Sequence, residues 1–292
     1  MNGLKRGWAI ARESVAVLRL HPRLLIFPLL SVIAILVILA GALPVALYEG
    51  KRPAFVALDE DTRGWVVVAQ VLVVYVACYF VAIFFNAALI ACVIRCFETG
   101  TASIADGLKA ATHRIGAIFC WAVVAGTVGL LIKAGGDALS RQAEKDLGFL
   151  AAIIVGIIVG ILYMIWIAVS YFVLPVLVME GVGPFTALKR SSSLIEARWK
   201  DVVGGEARFG LLGLLLLLPL VILVPILAVA FDAAGIVIGI GFTVVYIAVV
   251  GVVLSTMGTI FLAAVYKFAA TGDVPEAFSA ELVQTALRTK AA

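Results

Sequence analysis

The sequence predicts an all-α, polytopic membrane protein: a bundle of about six transmembrane helices forming one membrane domain over residues 1–292. Of the 292 residues, 64% are hydrophobic and 14% are charged, whereas soluble domains carry about 45–50% apolar and about 25% charged residues. So few polar residues cannot cover a core of this size, and lipid must cover part of the surface instead. A soluble globular protein is therefore excluded.

Six apolar stretches are long enough to cross a bilayer as helices, which takes about 20 residues. They are Leu24–Leu47, Trp65–Arg95, Ile115–Ile132, Leu147–Val178, Phe209–Phe231 and Ala234–Ala269. Their length and their Leu, Ala and Gly content disfavour a β-barrel, whose strands are shorter and alternate in polarity. The last stretch is predicted as one long helix, because it has no polar break at which a turn between two spans would fit.

Positive charge predicts the orientation of these spans. An even number of spans puts both termini on one side, together with the loops after the second and fourth spans. Of the 22 Lys and Arg residues, 16 lie on that side and six on the other. Because Lys and Arg stay in the cytoplasm, we expect cytoplasmic N- and C-termini, with small external loops at Tyr48–Gly64, Lys133–Asp146 and around Asp232.

The segments that follow every second span resemble one another. The three segments are Phe97-Glu98-Thr99-Gly100, Glu180-Gly181-Val182-Gly183-Pro184 and Phe268-Ala269-Ala270-Thr271-Gly272. Each is followed by a further helical stretch, which predicts a three-fold internal repeat of a cytoplasmic helix and two spans. The repeat units are residues 1–96, 97–179 and 180–270, with a closing helix at 273–289.

Glu98 and Glu180 occupy matching positions in this repeat, at the elbow where a span meets its cytoplasmic helix. An ion pair between Glu180 and the nearby Lys189 or Arg190 would hold the elbow in place. The alternative is a role for this carboxylate in gating or in lipid-headgroup binding. The run at residues 191–193, three serines, is predicted as a solvated helix face, with phosphorylation or phosphate binding as the alternative.

Apolar residues recur at helical spacing before the first and fifth spans, which predicts amphipathic cytoplasmic helices. The two stripes are Leu4, Trp8, Ala11, Val15, Leu18 and Phe185, Leu188, Ile195, Trp199, Val202. The cations beside them are Lys5, Arg12, Arg19, Lys189 and Arg190. Either these helices lie at the membrane surface, with Trp8 and Trp199 at headgroup depth and the cations toward anionic lipid, or their stripes pack against the bundle.

Four segments carry a resemblance to a known family. They are Arg6-Gly7-Trp8, Phe27-Pro28-Leu29-Leu30-Ser31, Pro175 through Ser191, and Tyr266 through Phe278. Over nearly the whole chain they resemble a family of prokaryotic integral membrane proteins of unknown function. The pattern Pro175-x-x-x-x-Glu180 with Ala187-Leu188-x-Arg190-Ser191 also resembles one repeat of the membrane domain of glycerophosphoryl diester phosphodiesterases. The resemblance implies the plasma membrane of a prokaryote, and it implies no catalysis, because the phosphodiesterase's soluble catalytic domain has no counterpart here.

The sequence contains no recognisable catalytic motif. It lacks HExxH, GxSxG and a phosphate-binding glycine loop, and neither His21 nor His113 suggests a buried acid–base pair. Cys92, Cys96 and Cys120 provide no complete set of metal ligands, and we interpret them as packing residues. We therefore expect a non-enzymatic protein without a cofactor, a metal ion or a nucleic-acid partner.

Two functions agree with these features. The first is a module that binds lipid or organises membrane partners through its basic cytoplasmic face, with Gly156-x-x-x-Gly160 permitting close contacts within or between copies. The alternative is a small channel or transporter with a polar path near Asn86. The hydroxyl groups of that path would come from Ser255, Thr256 and Thr259. We favour the first, because no full charge lies in the middle of a span and these groups can simply bond within the bundle.

Overall fold

Every regular element in the part of the chain that the structure describes is helical. The computed structural model describes residues 3–49, 59–101, 103–196 and 239–272. The helices are α1 (Gly3–Leu20), α2 (Ile26–Glu49), α3 (Glu60–Thr99), α4 (Ile104–His113), α5 (Ile115–Leu147), α6 (Phe149–Ser170), α7 (Val173–Met179), α8 (Pro184–Glu196) and α9 (Gly239–Thr271). A short 3-10 helix, Pro22–Leu25, joins α1 to α2. The all-α prediction is therefore confirmed for the described residues.

Five of the described segments are long and apolar enough to cross a membrane. They are Pro22–Tyr48, Glu60–Thr99, Ile115–Leu147, Phe149–Met179 and Gly239–Thr271. Large apolar side chains on their surfaces are exposed, for example Val37 at 67% and Val73 at 68%, as expected where lipid rather than protein covers a helix. The predicted span Phe209–Phe231 and the closing helix at 273–289 lie outside the described residues, so a total of six spans stays a prediction.

The helices extend further than the apolar stretches predict. The predicted external loop Lys133–Asp146 is helical, because α5 continues to Leu147. The chain turns only at Gly148, which has a φ of +88° and donates its N–H to the carbonyl of Glu144 at 3.0 Å. Charged residues end a transmembrane stretch because they leave the hydrocarbon, but they are compatible with a helix that continues into water.

The start of α3 also lies inside a predicted loop. Asp59 caps this helix, since its Oδ2 accepts a hydrogen bond of 2.9 Å from the backbone N–H of Thr62. Glu60 and Asp61 occupy the first turn, where negative charge is favourable beside the positive end of the helix dipole. The helix therefore begins five residues before the apolar run that starts at Trp65.

Residues 29–88 and 107–192 form one compact unit, here called the second unit. Its helices α5 and α6 pack closely at Gly136, where a β-carbon would collide with the side chain of Val159. Further along the same pair, the rings of Trp121 and Trp166 lie 5.9 Å apart. The glycine pair at residues 156 and 160 has open space beside each α-carbon within this chain, so its role in contacts between copies stays a prediction.

The first unit comprises residues 1–28, 89–106 and 193–292. Its largest fully buried side chains come from the 3-10 helix, the start of α2, the last part of α3 and the second half of α9. They are Leu24, Phe27, Leu89, Ile90, Val93 and Ile260. Apolar residues near the ends of these helices are therefore covered by protein, whereas the middle parts of α2 and α3 expose their apolar side chains.

Candidate functional site

The turn between α7 and α8, residues 180–183, is the best-defined feature among the predicted site residues. Glu180 closes α7, with its N–H bonded to the carbonyl of Val176 at 2.8 Å. Gly181 then adopts a φ of +70°, a backbone conformation that glycine tolerates and other residues rarely adopt. Pro184 begins α8, as expected for a residue whose fixed φ suits the first helical turn. We call residues 180–183 the α7–α8 turn.

Two arginines from different helices reach this turn. Nε of Arg190 lies 3.5 Å from Oε1 of Glu180, so the ion pair predicted at this elbow is present. The guanidinium group of Arg114, which precedes α5, lies against Gly181, and a β-carbon there would be 2.7 Å from its Cζ. Lys189, which precedes Arg190 in the sequence, is exposed. Guanidinium groups from two separate parts of the chain thus contact Glu180 and its neighbour Gly181.

The ion pair at the turn contributes little to stability. The side chains of Arg190 and Glu180 are 48% and 30% exposed. An exposed pair of this kind is worth about 0–1 kcal/mol, because water and salt screen it and two long side chains lose conformational freedom. Stability alone does not explain why a second guanidinium group, that of Arg114, should lie at the same turn.

Ser191 fixes α8 to the break between α6 and α7. Its hydroxyl donates to the carbonyl of Val169 at 2.6 Å and accepts from the N–H of Phe172 at 3.1 Å. The break arises because the N–H of Tyr171 bonds to Ala168, three residues back, at 3.0 Å. Ser191 is fully buried, so its prediction as part of a solvated helix face was wrong.

The α3–α4 turn, Gly100–Ser103, repeats part of this arrangement. Gly100 has a φ of +73° and its N–H bonds to the carbonyl of Cys96 at 2.9 Å. The ion pair here joins Arg95 to Asp106 at 3.8 Å, while Glu98, the predicted counterpart of Glu180, is exposed. The thiol of Cys92 lies 3.4 Å from the carbonyl oxygen of Ser103.

The end of α9 has the same backbone conformation. Gly272 has a φ of +82°, and its N–H bonds to the carbonyl of Phe268 at 2.9 Å. Three helices, α3, α7 and α9, are thus each followed closely by a glycine in the left-handed region, and each glycine lies within one of the segments that the sequence predicts to be repeated.

The predicted basic stripe of α1 is described only in its second half. Arg12 and Arg19 are exposed, whereas Val17 and Leu18 are buried at 3% and 8% exposure and Ser14 is fully buried. The side chains of Lys5 and Trp8, and the whole of Trp199, lie outside the described residues. In α8, Lys189 and Arg190 are exposed while Ala187 and Ile195 are buried.

The residues of the predicted polar path belong to different units. Asn86 is half-buried in the second unit, and α9 lies in the first. The hydroxyl group of Thr256 is fully buried and donates to Val252 at 2.7 Å, and that of Thr259 donates to Ser255 at 2.9 Å. Ser255 is itself exposed. These threonine hydroxyls therefore bond to the backbone of α9 itself, as expected if the two threonines have a structural role.

Sequence reasoning missed Arg114. It entered the prediction only as one of the counted cations, and its neighbour at the turn, Gly181, lies far away in the sequence. The available signal was a cation placed directly before the apolar stretch that starts at Ile115. A cation at the end of an apolar stretch is expected to lie at the membrane–water interface, but this does not indicate which turn its side chain contacts.

Comparison with known proteins defines the family of the chain. No curated protein and no solved structure matches it. A family model does match, over residues 64–276, which is more than half of the chain. The expectation that the chain comes from an uncharacterised family is confirmed, and the protein belongs to DUF6159, a family of unknown function.

Proposed function

We propose that this protein is a non-enzymatic, multi-pass membrane protein that binds anionic lipid, or organises partners at the membrane, through a basic cytoplasmic surface. We define the basic surface by the exposed side chains of Arg12 and Arg19 on α1. The other predicted cations of the cytoplasmic face, Lys189 and Arg190, belong to the second unit. The proposed location is the plasma membrane of a prokaryote, with both termini in the cytoplasm. The weaker resemblance to phosphodiesterase membrane domains stays a prediction.

The observation that carries this proposal is the burial pattern of α1. Val17 and Leu18 are buried in protein while Arg12 and Arg19 are exposed. Protein therefore covers these two apolar positions, which favours packing against the bundle over insertion into lipid, while Leu20 at the end of the helix is 74% exposed. The cations on the neighbouring face then form a fixed surface. Each cation near an anionic membrane contributes about 1 kcal/mol.

Three of the four described glycines with positive φ support the proposed repeat, whereas the fourth, Gly148, lies at the turn between α5 and α6. Each of the three lies where a predicted span meets a cytoplasmic segment, at Gly100, Gly181 and Gly272. A repeated elbow would present successive cytoplasmic helices on one side of the membrane. This would concentrate the positive charge there, in agreement with the 16 cations that the sequence assigns to that side.

The proposed orientation can be tested with single cysteines in a cysteine-free background. Cysteines replacing Asp61 and Glu144, both exposed, should react with an impermeant thiol reagent added to intact cells. A cysteine replacing Lys189 should react only after the membrane is permeabilised. Labelling of Lys189→Cys alone in intact cells would refute the orientation.

The binding function can be tested by titrating the full-length protein, in a neutral detergent, with short-chain phosphatidylglycerol. Removing two cations with Arg12→Gln/Arg19→Gln should cost about 2 kcal/mol, or about 30-fold in affinity at low salt. The matched control, Arg141→Gln/Lys145→Gln, removes two exposed cations from the opposite predicted side and should have little effect. Equal losses in both variants would contradict the proposal, and binding to phosphatidylglycerol that neither variant weakens would favour a protein partner for this surface.

A further inference from the structure

The α7–α8 turn has more positive charge than its own ion pair requires. We propose that Arg114 and Arg190, whose guanidinium groups contact Gly181 and Glu180 respectively, bind the phosphate group of an anionic phospholipid headgroup. This inference rests on the proposed function and names a specific site within it. The surface defined by α1 would attract anionic lipid in general, whereas this turn would hold one phosphate group at a fixed position.

The two guanidinium groups contact neighbouring residues of the turn. Arg190 reaches it from α8, with its Nε 3.5 Å from the Glu180 carboxylate. Arg114 reaches it from the start of α5 and covers Gly181, where only a hydrogen atom leaves room for it. Two planar guanidinium groups from separate helices are well suited to a phosphate, because each can donate two parallel hydrogen bonds to its oxygens.

The charges at the turn also favour an anion. The groups that contact the turn are two guanidinium groups, those of Arg114 and Arg190, and one carboxylate, that of Glu180. Lys189, next to Arg190 in the sequence, is a further exposed cation. The distance between Nε of Arg190 and Oε1 of Glu180 is long, at 3.5 Å, and both groups are partly exposed, so their attraction is weakened by water. A phosphate group, which offers several acceptor oxygens, can therefore compete with the carboxylate for Arg190. Glu180 would then lower the affinity for phosphate.

The position of the turn along the chain matches the depth of lipid phosphates. Residues 173–178 are apolar and buried, and the first charged residue after them is Glu180. The preceding helix α6 exposes apolar side chains such as Ile161 and Leu162 at 53% each, which is the surface that acyl chains cover. A lipid lying along α6 would therefore carry its headgroup to the level of the turn.

Ser191 holds this arrangement in place. It directly follows Arg190, and its buried hydroxyl bonds to Val169 and Phe172 at the break between α6 and α7. The backbone that carries Arg190 is thus fixed to the span. A preformed site loses less conformational entropy on binding than a flexible one.

The test is isothermal titration calorimetry of the full-length protein in a neutral detergent, with short-chain phosphatidylglycerol as the probe. We expect a saturable phase of one lipid per protein. Arg114→Gln and Arg190→Gln should each weaken it about tenfold to a hundredfold, since a hydrogen bond to a charged group has a strength in that range. The matched control is Lys109→Gln, which removes an exposed cation from the same predicted side, and it should change the affinity less than about threefold.

The carboxylate provides a test of opposite sign. Glu180→Gln removes the competing charge, so it should strengthen binding of phosphatidylglycerol. Arg114→Lys and Arg190→Lys keep the charge but lose the fork of donors, and each should bind more weakly than the wild type. These variants keep the inference testable if a glutamine substitution prevents folding. Weaker binding after Glu180→Gln, or equal losses in Lys109→Gln and Arg114→Gln, would overturn it.

Two further measurements distinguish a lipid phosphate from inorganic phosphate, and the phosphate site from the basic surface. If inorganic phosphate at millimolar concentration produces the saturable phase and phosphatidylglycerol does not, the site binds a soluble phosphate and its assignment to a lipid is wrong. If Arg12→Gln/Arg19→Gln abolishes lipid binding while Arg114→Gln has no effect, the proposed basic surface is supported and the proposed phosphate site is refuted. The opposite pattern would support the site and refute the surface.

Discussion

Replacing Ser191 with alanine tests whether the junction between α8 and the fourth span depends on one buried hydroxyl group. The substitution removes two hydrogen bonds, one to the carbonyl of Val169 at 2.6 Å and one from the N–H of Phe172 at 3.1 Å. Water does not replace them readily, because Ser191 is fully buried. A buried backbone group without a partner costs about 1–3 kcal/mol. If the chain rearranges between α6 and α7 so that either the Val169 carbonyl or the Phe172 N–H finds a new partner, the cost of one unpaired backbone group remains.

We therefore expect Ser191→Ala to lower the free energy of unfolding by about 1–3 kcal/mol. Ser192→Ala is the matched control, because the hydroxyl of Ser192 bonds within its own helix to Lys189 at 2.8 Å. Loss of that local bond should change stability by less than about 0.5 kcal/mol. Reversible unfolding of both variants in mixed micelles would measure the difference. Equal stability of the two variants would refute the assignment of a structural role to Ser191.

Three further predictions concern other helices. Gly136→Ala should destabilise the α5–α6 pair by about 1–3 kcal/mol through overpacking. Gly156→Ala, with open space beside it, should instead stabilise its helix by up to about 1 kcal/mol. Unfolding experiments on both variants would measure these changes in free energy. Hydrogen bonds from the side chain and N–H of Thr62 lower the pKa of Asp59. This cap therefore stabilises the start of α3 fully above the unfolded-state pKa of Asp59, and the stabilisation is lost as the pH falls through the folded-state pKa. Amide exchange at Thr62 should accelerate over that pH range in the wild type and not in Asp59→Asn. Asn86→Leu should change stability by about 0.6 kcal/mol and leave liposome permeability unaltered, and a selective flux abolished by this change would favour the channel.

The apolar stretches could be recognised from the sequence because crossing a bilayer is a one-dimensional requirement. A run such as Trp65–Arg95 satisfies it by length and composition alone, and α3 covers that run completely. The ends of the helices could not be predicted in the same way. Helix α5 continues through Lys133 to Leu147, since a helix ends where its backbone is capped rather than where its side chains become charged.

Close packing between helices depends on which residues face each other, and the sequence pattern does not supply that information. Residues 156 and 160 form a small-residue pair and yet have open space beside them, while Gly136 meets Val159 on the facing helix. The facing partner depends on the register of α5 against α6, which the turn at Gly148 determines. A glycine motif therefore predicts that close approach is possible and does not predict where it occurs.

The Glu180–Arg190 ion pair could be predicted from the turn residues between its two partners, whereas the contact of Arg114 with Gly181 could not. Glu180 and Arg190 are ten residues apart, and Gly181 and Pro184 between them indicate a reversal followed by a new helix. Folding back over that distance brings the two side chains within reach. Arg114 belongs to a separate part of the chain, and it reaches the turn only because the helices of the second unit pack as they do.

The left-handed glycines agree with the proposed repeat but are not specific to it, because Gly148 at the turn between α5 and α6 also has a positive φ. A positive φ is costly for other residues, so Gly100, Gly181 and Gly272 each mark a position where the end of a helix requires glycine. The side chains around them differ, since the ion pair at one elbow involves Glu180 and that at another joins Arg95 to Asp106. If the elbows arose by duplication, the backbone conformation was retained while the charges diverged. The pair of guanidinium groups at the α7–α8 turn would then be a specialisation of one elbow, and the titration with phosphatidylglycerol would detect it.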